Sequence, residues 1–237
     1  MLVIFFSGLS SADLVIEVTD WVKDPTKIAI VPFQNKGRAV QQDIAAVIAA
    51  DLTRSGQFSV LDRHDMPSSP SHADEVHFRD WQALGVDYLL IGRSENRRNK
   101  IAVKYTLFDV HARRALLANE IRAGRDVERA IAHKLSDAVF EKLTGVKGAF
   151  STRMLYVSTQ RNELGVSSYR LILADADGAN AREILRSAEP ILSPAWSADG
   201  KQIAYVSFET QRPAVYQQVI ATGQRKKLTN FLGLNSA

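Results

Sequence analysis

The first half of the chain alternates between strand-like and helix-like spacing of its hydrophobic residues. Strand-like runs rich in β-branched residues occupy residues 14–18, 27–33 and 58–62. Residues 39–56 and 78–85 instead place apolar side chains at helical intervals, and each of these segments closes on a glycine. Strands and helices are therefore interleaved in this part of the chain.

A hairpin and a long helix complete the first half. Residues 86–95 and 100–110 are apolar runs on either side of a polar tip at Asn96–Asn99, and residues 114–124 predict a third strand. A helical pattern follows and ends at Gly145. Mixed order with adjacent hairpins is typical of an α+β fold, in which helices pack on one face of a mixed sheet. We predict such a domain over residues 13–148.

The hydrophobic pattern after Gly148 contains strands and no helix. The run MLYVS at residues 154–158 is similar to IAYVS at residues 203–207, a shift of 49 residues, and Asp-Gly turns stand at Asp177–Gly178 and Asp199–Gly200. All-β repeats of 40–50 residues are typical of propeller blades. We predict an incomplete β-propeller of about two blades over residues 149–237, because propellers usually close with four to eight blades.

The second repeat also predicts how a blade packs. Alternation in QIAYVS places Ile203, Tyr205 and Ser207 on one face of the strand, and the small Ala204 and Val206 on the other. Trp196 is expected to fill the space between neighbouring sheets, which is a packing role.

The amino-terminal residues have part of the pattern of a secretory signal. MLVIFFSGL is apolar but too short to span a bilayer, and small residues at Ser10 and Ala12 precede Asp13 as at a cleavage site. A positively charged start is missing. We interpret residues 1–12 as a signal-peptide remnant, and a buried strand is the alternative.

Composition and charge exclude some kinds of site. The chain has 237 residues, 46% of them hydrophobic and 24% charged, with a net charge of +4 and no cysteine. Disulfides, thiolate metal sites and a cysteine nucleophile are therefore excluded. The basic residues form no stripe with interleaved aromatic residues, so we do not expect nucleic-acid binding.

The residues that could carry catalysis or bind metal do not form a recognisable motif. Ser167 lacks the final glycine of a nucleophile elbow. Acidic and histidine residues cluster in a loop rich in serine and proline, but their spacing fits no metal motif; they are His72, Asp74, Glu75 and His77. His133 stands alone on a helix face. We expect no catalytic residue, no metal and no cofactor.

Several ordered segments resemble the TolB family of the Tol–Pal envelope system. They are DLVIEVTDWVKDPTKIAIVPF at 13–33, AADLTRSGQFSVLDR at 49–63, WQALGVDYLLIGR at 81–93, VFEKLTGVKGAFSTRMLYVS at 139–158 and SPAWSADGKQIAYVSFE at 193–209. The last is a generic propeller motif, whereas the ordered set is specific. Trp21 is unusual at its position, and most of the six-bladed propeller of the family is missing.

The resemblance implies a periplasmic binding protein, not an enzyme. It implies that an amino-terminal segment binds the C-terminal domain of TolA and that the propeller binds the lipoprotein Pal, in support of outer-membrane integrity and envelope constriction at cell division. The segment carries over to Asp13, Leu14, Val15, Ile16, Glu17, Val18, Thr19, Asp20, Trp21, Val22, Lys23 and Asp24. With most blades missing, the Pal surface is expected to be lost or incomplete.

Elementary chemistry leaves alternatives open. A terminal strand at residues 14–18 can add to the sheet edge of a partner, or it can pair within its own domain. A propeller-associated hydrolase would need a Ser/His/Asp set, and a small α/β domain that binds RNA would show strongly salt-dependent affinity.

Overall fold

The computed structural model describes residues 24–37, 42–97, 100–124 and 127–229. The predicted signal remnant and the predicted strand at 14–18 lie outside these residues. The first half contains strands and helices in mixed order. They are β1 (Thr26–Ile30), β2 (Gln34–Gly37), α1 (Ile44–Arg54), β3 (Phe58–Val60), α2 (Phe78–Ala83), β4 (Tyr88–Arg97), β5 (Lys100–Asp109), β6 (Arg114–Ala123) and α3 (Glu128–Thr144).

These strands form one mixed sheet, which confirms the predicted α+β class. The order is β3-β1-β4-β5-β6, and β2 also pairs with β4 beyond the end of β1. The strands β1, β2, β3 and β4 pair in parallel, whereas β4, β5 and β6 pair antiparallel. The predicted hairpin is therefore present, and its tip at residues 98–99 lies outside the described part of the chain.

The two faces of the sheet carry separate hydrophobic cores. The long helices α1 and α3 pack on one face, where Ile30, Ile48 and Leu135 are almost completely buried. The short α2 covers part of the opposite face, and its Trp81 is fully buried against Leu89 and its neighbours. The expected layer of helices on one face is confirmed for α1 and α3, and the sequence pattern did not show where α2 would lie.

Helix α1 begins at a charged cap. The Asp43 side chain accepts a hydrogen bond from the Ala46 amide at 3.0 Å, which satisfies one of the free N–H groups of the first turn. Arg63 Nη1 donates to the other Asp43 oxygen at 2.6 Å. The hydrogen bond from Arg63, together with these amide contacts, lowers the pKa of Asp43 below its ordinary value of 3.8.

Replacing Asp43 with alanine is expected to destabilise the protein by about 1 kcal/mol at pH 7, because the cap is lost. A carboxylate with a lowered folded-state pKa stabilises the fold above the ordinary pKa, and this contribution is lost as the pH falls through the lowered value. The difference in free energy of unfolding between this variant and the unsubstituted chain, measured by urea unfolding, should therefore become smaller below about pH 4. Asp43→Asn is the control, because it keeps a capping oxygen and removes only the charge. A difference in free energy of unfolding between Asp43→Ala and the unsubstituted chain that does not change with pH would contradict the account.

Gly92 in β4 is required by close packing. A Cβ atom at this position would lie 2.5 Å from the ring of Phe33. Gly92→Ala is therefore expected to lower the free energy of unfolding by about 1–3 kcal/mol, because the added methyl group overpacks the site. Adding Phe33→Leu should recover part of that loss, because the smaller side chain makes room. Thermal unfolding of the two variants measures the effect, and equal melting temperatures for Gly92→Ala and the unsubstituted chain would contradict it.

The second half of the described chain contains two antiparallel sheets, as expected for a partial propeller. The first sheet has the order β7-β8-β9 and the second β10-β11-β12-β13. Their strands are β7 (Arg153–Arg161), β8 (Ser167–Asp175), β9 (Arg182–Ser187), β10 (Ile191–Trp196), β11 (Gln202–Ser207), β12 (Ala214–Val219) and β13 (Arg225–Lys227). No helix in the described residues is long and apolar enough to cross a membrane.

The two antiparallel sheets pack face to face around Tyr205, which is fully buried. Its hydroxyl donates to Gln218 Oε1 at 2.9 Å, and Gln218 Nε2 donates to the Ile184 carbonyl oxygen of the first sheet at 3.2 Å. Ile203 and Tyr205 share the core face, which confirms the predicted alternation. Trp196 is half-buried, and the Arg153 guanidinium lies 5.0 Å from its ring centroid.

Candidate interaction site and the junction between the two regions

Most of the predicted partner-binding segment lies outside the described residues. These are residues 13–23, and Asp24 is exposed just before β1. The point where the segment joins the sheet is well anchored. The Lys27 amide donates to Asp87 Oδ2 at 3.0 Å, and Lys27 Nζ donates to the Leu84 carbonyl oxygen at 2.7 Å. The start of β1 is therefore fixed to the part of the chain between α2 and β4.

A buried carboxylate organises the contact between α1 and α3. Asp51 of α1 is fully buried and accepts from His133 Nδ1 and Ser136 Oγ, both at 2.7 Å. Its other oxygen accepts from Arg54 at 2.6 Å. Because a carboxylate only accepts, His133 Nδ1 carries the hydrogen in this pair. Side chains of α1 and α3 therefore satisfy both oxygens of Asp51.

The same histidine faces the first propeller sheet. Arg129 of α3 forms a short hydrogen bond with Asp177, in the turn that follows β8, and its Nε lies 3.8 Å from Oδ2 of Asp175, the last residue of β8. His133 Nε2 lies 3.8 Å from Asp177 Oδ2. The β8–β9 turn, for which the Asp-Gly sequence predicts only a tight hairpin turn, thus docks against the helical layer through charged groups.

The connection between the two regions is also held by main-chain contacts. Asp137 of α3 accepts from the Phe150 amide at 2.7 Å and from the Ser151 amide at 3.2 Å. A Cβ atom at Gly148 would lie 2.6 Å from Asp137, so the chain passes α3 closely at this point. These contacts hold the start of the second region against α3.

Asp51, His133 and Asp177 bring three possible metal ligand atoms within 4.8 Å of one another. The Asp51 oxygens are already occupied by Arg54, His133 and Ser136, and Asp177 is paired with Arg129. An arginine supplies the positive charge that a metal ion would bring. We therefore interpret the cluster as an ion-pair network.

Glu75, in the loop rich in serine and proline, has a local structural role. Glu75 accepts from the Ser71 amide at 2.7 Å and from the His72 amide at 3.1 Å. These hydrogen bonds hold the pKa of Glu75 below its ordinary value. Ser167 is the first residue of β8 and pairs with Arg161 across the β7–β8 hairpin.

Sequence reasoning missed the role of His133, which it left without a partner. The only available signal was its position on the inner face of a helix, and a lone histidine there does not identify a partner. Asp51 and Asp177 lie far from it in the sequence, and only the fold brings the three together.

Two family models match the chain in the order that the structure shows. The TolB amino-terminal domain matches residues 14–116 and the TolB beta propeller domain matches residues 140–237. The chain belongs to the TolB family. Against the protein named Tol-Pal system protein TolB of Hahella chejuensis it is 44% identical over 239 residues, and against that of Pseudomonas putida 47% identical over 221 residues.

The solved structures agree with the family. The crystal structure of TolB from Acinetobacter baumannii matches with a TM-score of 0.79 and 38% identity, covering 90% of this chain and 51% of that one. The matches cover 100% and 93% of this chain but 55% and 51% of the Hahella and Pseudomonas proteins. The chain thus spans about half the length of the curated relatives it matches.

Proposed function

We propose that this chain is a non-enzymatic protein–protein interaction component of the Tol–Pal system in the periplasm. Residues 13–24 bind the C-terminal domain of TolA, and the propeller region contributes to binding Pal, so that the complex supports outer-membrane integrity and constriction at cell division. The observation that carries the proposal is the presence of both TolB family regions in order, at 44–47% identity to proteins named for this system.

The binding step is proposed to be addition of an extended segment to a partner. Residues 14–18 form a β-rich run of four apolar residues and one glutamate, and an extended segment of this kind can add to the sheet edge of another protein through its backbone groups. The segment leads directly into β1, whose start is fixed by Lys27.

The junction supplies a physical route for coupling between the two binding regions. The β8–β9 turn contacts α3 through Arg129, and α3 contacts α1 through His133 and Asp51. A partner on the propeller that displaced this turn would change the packing of the helices above β1. Such linkage would favour or disfavour release of residues 13–24. By reciprocity, binding of those residues to a partner would change the affinity at the propeller by the same factor. We place the division between the regions near Gly148.

Calorimetric titration against the TolA C-terminal domain tests the proposal. The chain from Asp13 onward should bind, and the chain from Pro25 onward should not, because the deletion removes the segment but leaves β1. Far-UV circular dichroism of both chains shows that the shorter one is folded. Equal binding by the two chains would overturn the assignment of the segment, and no binding by either folded chain would overturn the TolA role.

A further inference from the structure

Within the described part of the chain, the face of the sheet opposite α1 and α3 is only partly covered. The α2 core occupies the end near Leu89 and Phe108. Beyond the α2 core, the paired positions Arg93, Lys104 and Glu120 lie side by side on β4, β5 and β6. They are on the face of the sheet opposite α1 and α3. Directly paired residues point to the same side of a sheet, so these charges form one row across three strands.

A second row lies next to the first and extends the charged surface to β2. Glu95 pairs with Lys36 on one side and with Ala102 on the other, and Ala102 pairs with Arg122. The two rows thus place a basic residue on each of four strands, and between them stand two carboxylates. We call this surface the cationic sheet face; it consists of Lys36, Arg93, Glu95, Lys104, Glu120 and Arg122.

The cationic sheet face contains two adjoining depressions. One has a volume of about 230 Å³ and the other about 200 Å³, and both are lined by Arg93, Lys104 and Glu120. The small side chains of Ala118 and Ala102 line the first and the second, respectively, which leaves room above the sheet. The two together form a trough with charged walls.

The walls are held in place by the protein itself. Arg122 Nε donates to Glu120 at 2.6 Å, and Lys104 Nζ lies 3.9 Å from the same carboxylate. Arg93 Nη1 donates to the Ser71 carbonyl oxygen at 3.4 Å. The hydrogen bond from Arg122, aided by the nearby charges of Lys104 and Arg93, lowers the pKa of Glu120. Partly ordered cations lose less conformational freedom when they bind an anion.

We propose that the cationic sheet face binds an extended, acidic segment of a partner protein. The four strands span about 14 Å, which an extended segment of about five residues crosses. Alternate side chains of such a segment point to the sheet, where carboxylates would meet Arg93, Lys104 and Arg122. The interspersed Glu95 and Glu120 disfavour a polymer with a charge on every unit, such as nucleic acid, and favour a peptide whose charges are spaced. This surface does not involve residues 13–24, and the proposal stands independently of TolA binding.

Fluorescence anisotropy tests the proposal with a labelled eight-residue peptide of alternating glutamate and serine. The chain from Asp13 onward should bind it saturably at low salt, and a peptide of alternating lysine and serine should not bind. The triple variant Arg93→Gln, Lys104→Gln, Arg122→Gln should raise Kd at least about tenfold, because three exposed charge contacts are lost. The control Arg182→Gln, Lys226→Gln, Lys227→Gln removes the same charge elsewhere and should change Kd less than about twofold.

A second variant separates docking in the trough from general attraction between charges. Ala118→Met fills the floor of the first depression without changing any charge, and it should weaken peptide binding about fivefold or more. Circular dichroism confirms that each variant is folded. Equal effects of the two triple variants, unchanged binding by Ala118→Met, or no saturable binding at about millimolar peptide would overturn the proposal. Tighter binding of duplex DNA or anionic vesicles through the same residues would also overturn it.

Discussion

Replacing Asp51 with alanine should lower the free energy of unfolding by about 3–5 kcal/mol, among the largest effects expected of any single substitution in this chain. The carboxylate is fully buried and accepts from His133, Ser136 and Arg54. Its removal leaves the buried His133 Nδ1 without this acceptor and the Ser136 hydroxyl with the Ala132 carbonyl oxygen at 3.0 Å, and an unpaired buried donor is costly. Urea unfolding, followed by circular dichroism, measures the change.

The control for this prediction is Asp65→Ala. Asp65 is exposed in a short 3₁₀ turn at Arg63–Asp65, so its loss should change the free energy of unfolding by less than about 0.5 kcal/mol. A loss of similar size in both variants would contradict the role of Asp51 in holding α1 and α3 together. Arg54 is partly exposed, and its removal should cost much less than that of Asp51 because its charge can be hydrated.

The second large effect is expected at Tyr205. Tyr205→Ala should lower the free energy of unfolding of the antiparallel sheets by about 3–5 kcal/mol, because a fully buried aromatic ring is removed from the core between them. The Gln218 side chain would also lose the donor that orients it toward the Ile184 carbonyl oxygen. Hydrogen exchange should show lost protection in β9 and β10–β13, while β4, β5 and α1 stay protected.

Tyr156→Ala is the matched control, since Tyr156 is 37% exposed on β7. It should leave hydrogen exchange in β11 and β12 nearly unchanged. Loss of protection throughout the chain in Tyr205→Ala would contradict a local effect and would mean that the two regions unfold as one unit. Unchanged protection in Tyr205→Ala would contradict the role of this residue as the centre of the inter-sheet core.

The sequence predicted the elements that carry a hydrophobic pattern. Helix α1 and strands β4 and β5 follow directly from their spacing, and β11 alternates as expected. Strand β2 was not predicted, because Gln34–Gly37 is entirely polar and exposed and is a strand only through its pairing with β4. Strand β13, with the sequence RKK, is exposed in the same way and depends on its pairing with β12.

The junction could not be predicted for a different reason. Asp51 and His133 are 82 residues apart, and Asp177 lies in a turn that its Asp-Gly sequence already explains. Each residue has an adequate local interpretation, so no local pattern points to the others. The charged row of Arg93, Lys104 and Glu120 was missed likewise, because cross-strand register decides which charges become neighbours.

Whether residues 13–24 alone carry TolA recognition is tested most directly with the segment itself. We would titrate a synthetic peptide of residues 13–24 into the TolA C-terminal domain by calorimetry and compare it with the chain from Asp13 onward. The account predicts saturable binding by the peptide, with a Kd within about tenfold of that of the chain, because the segment supplies the contacts. Binding by the chain without any binding by the peptide would contradict it and place the TolA contacts on the folded region.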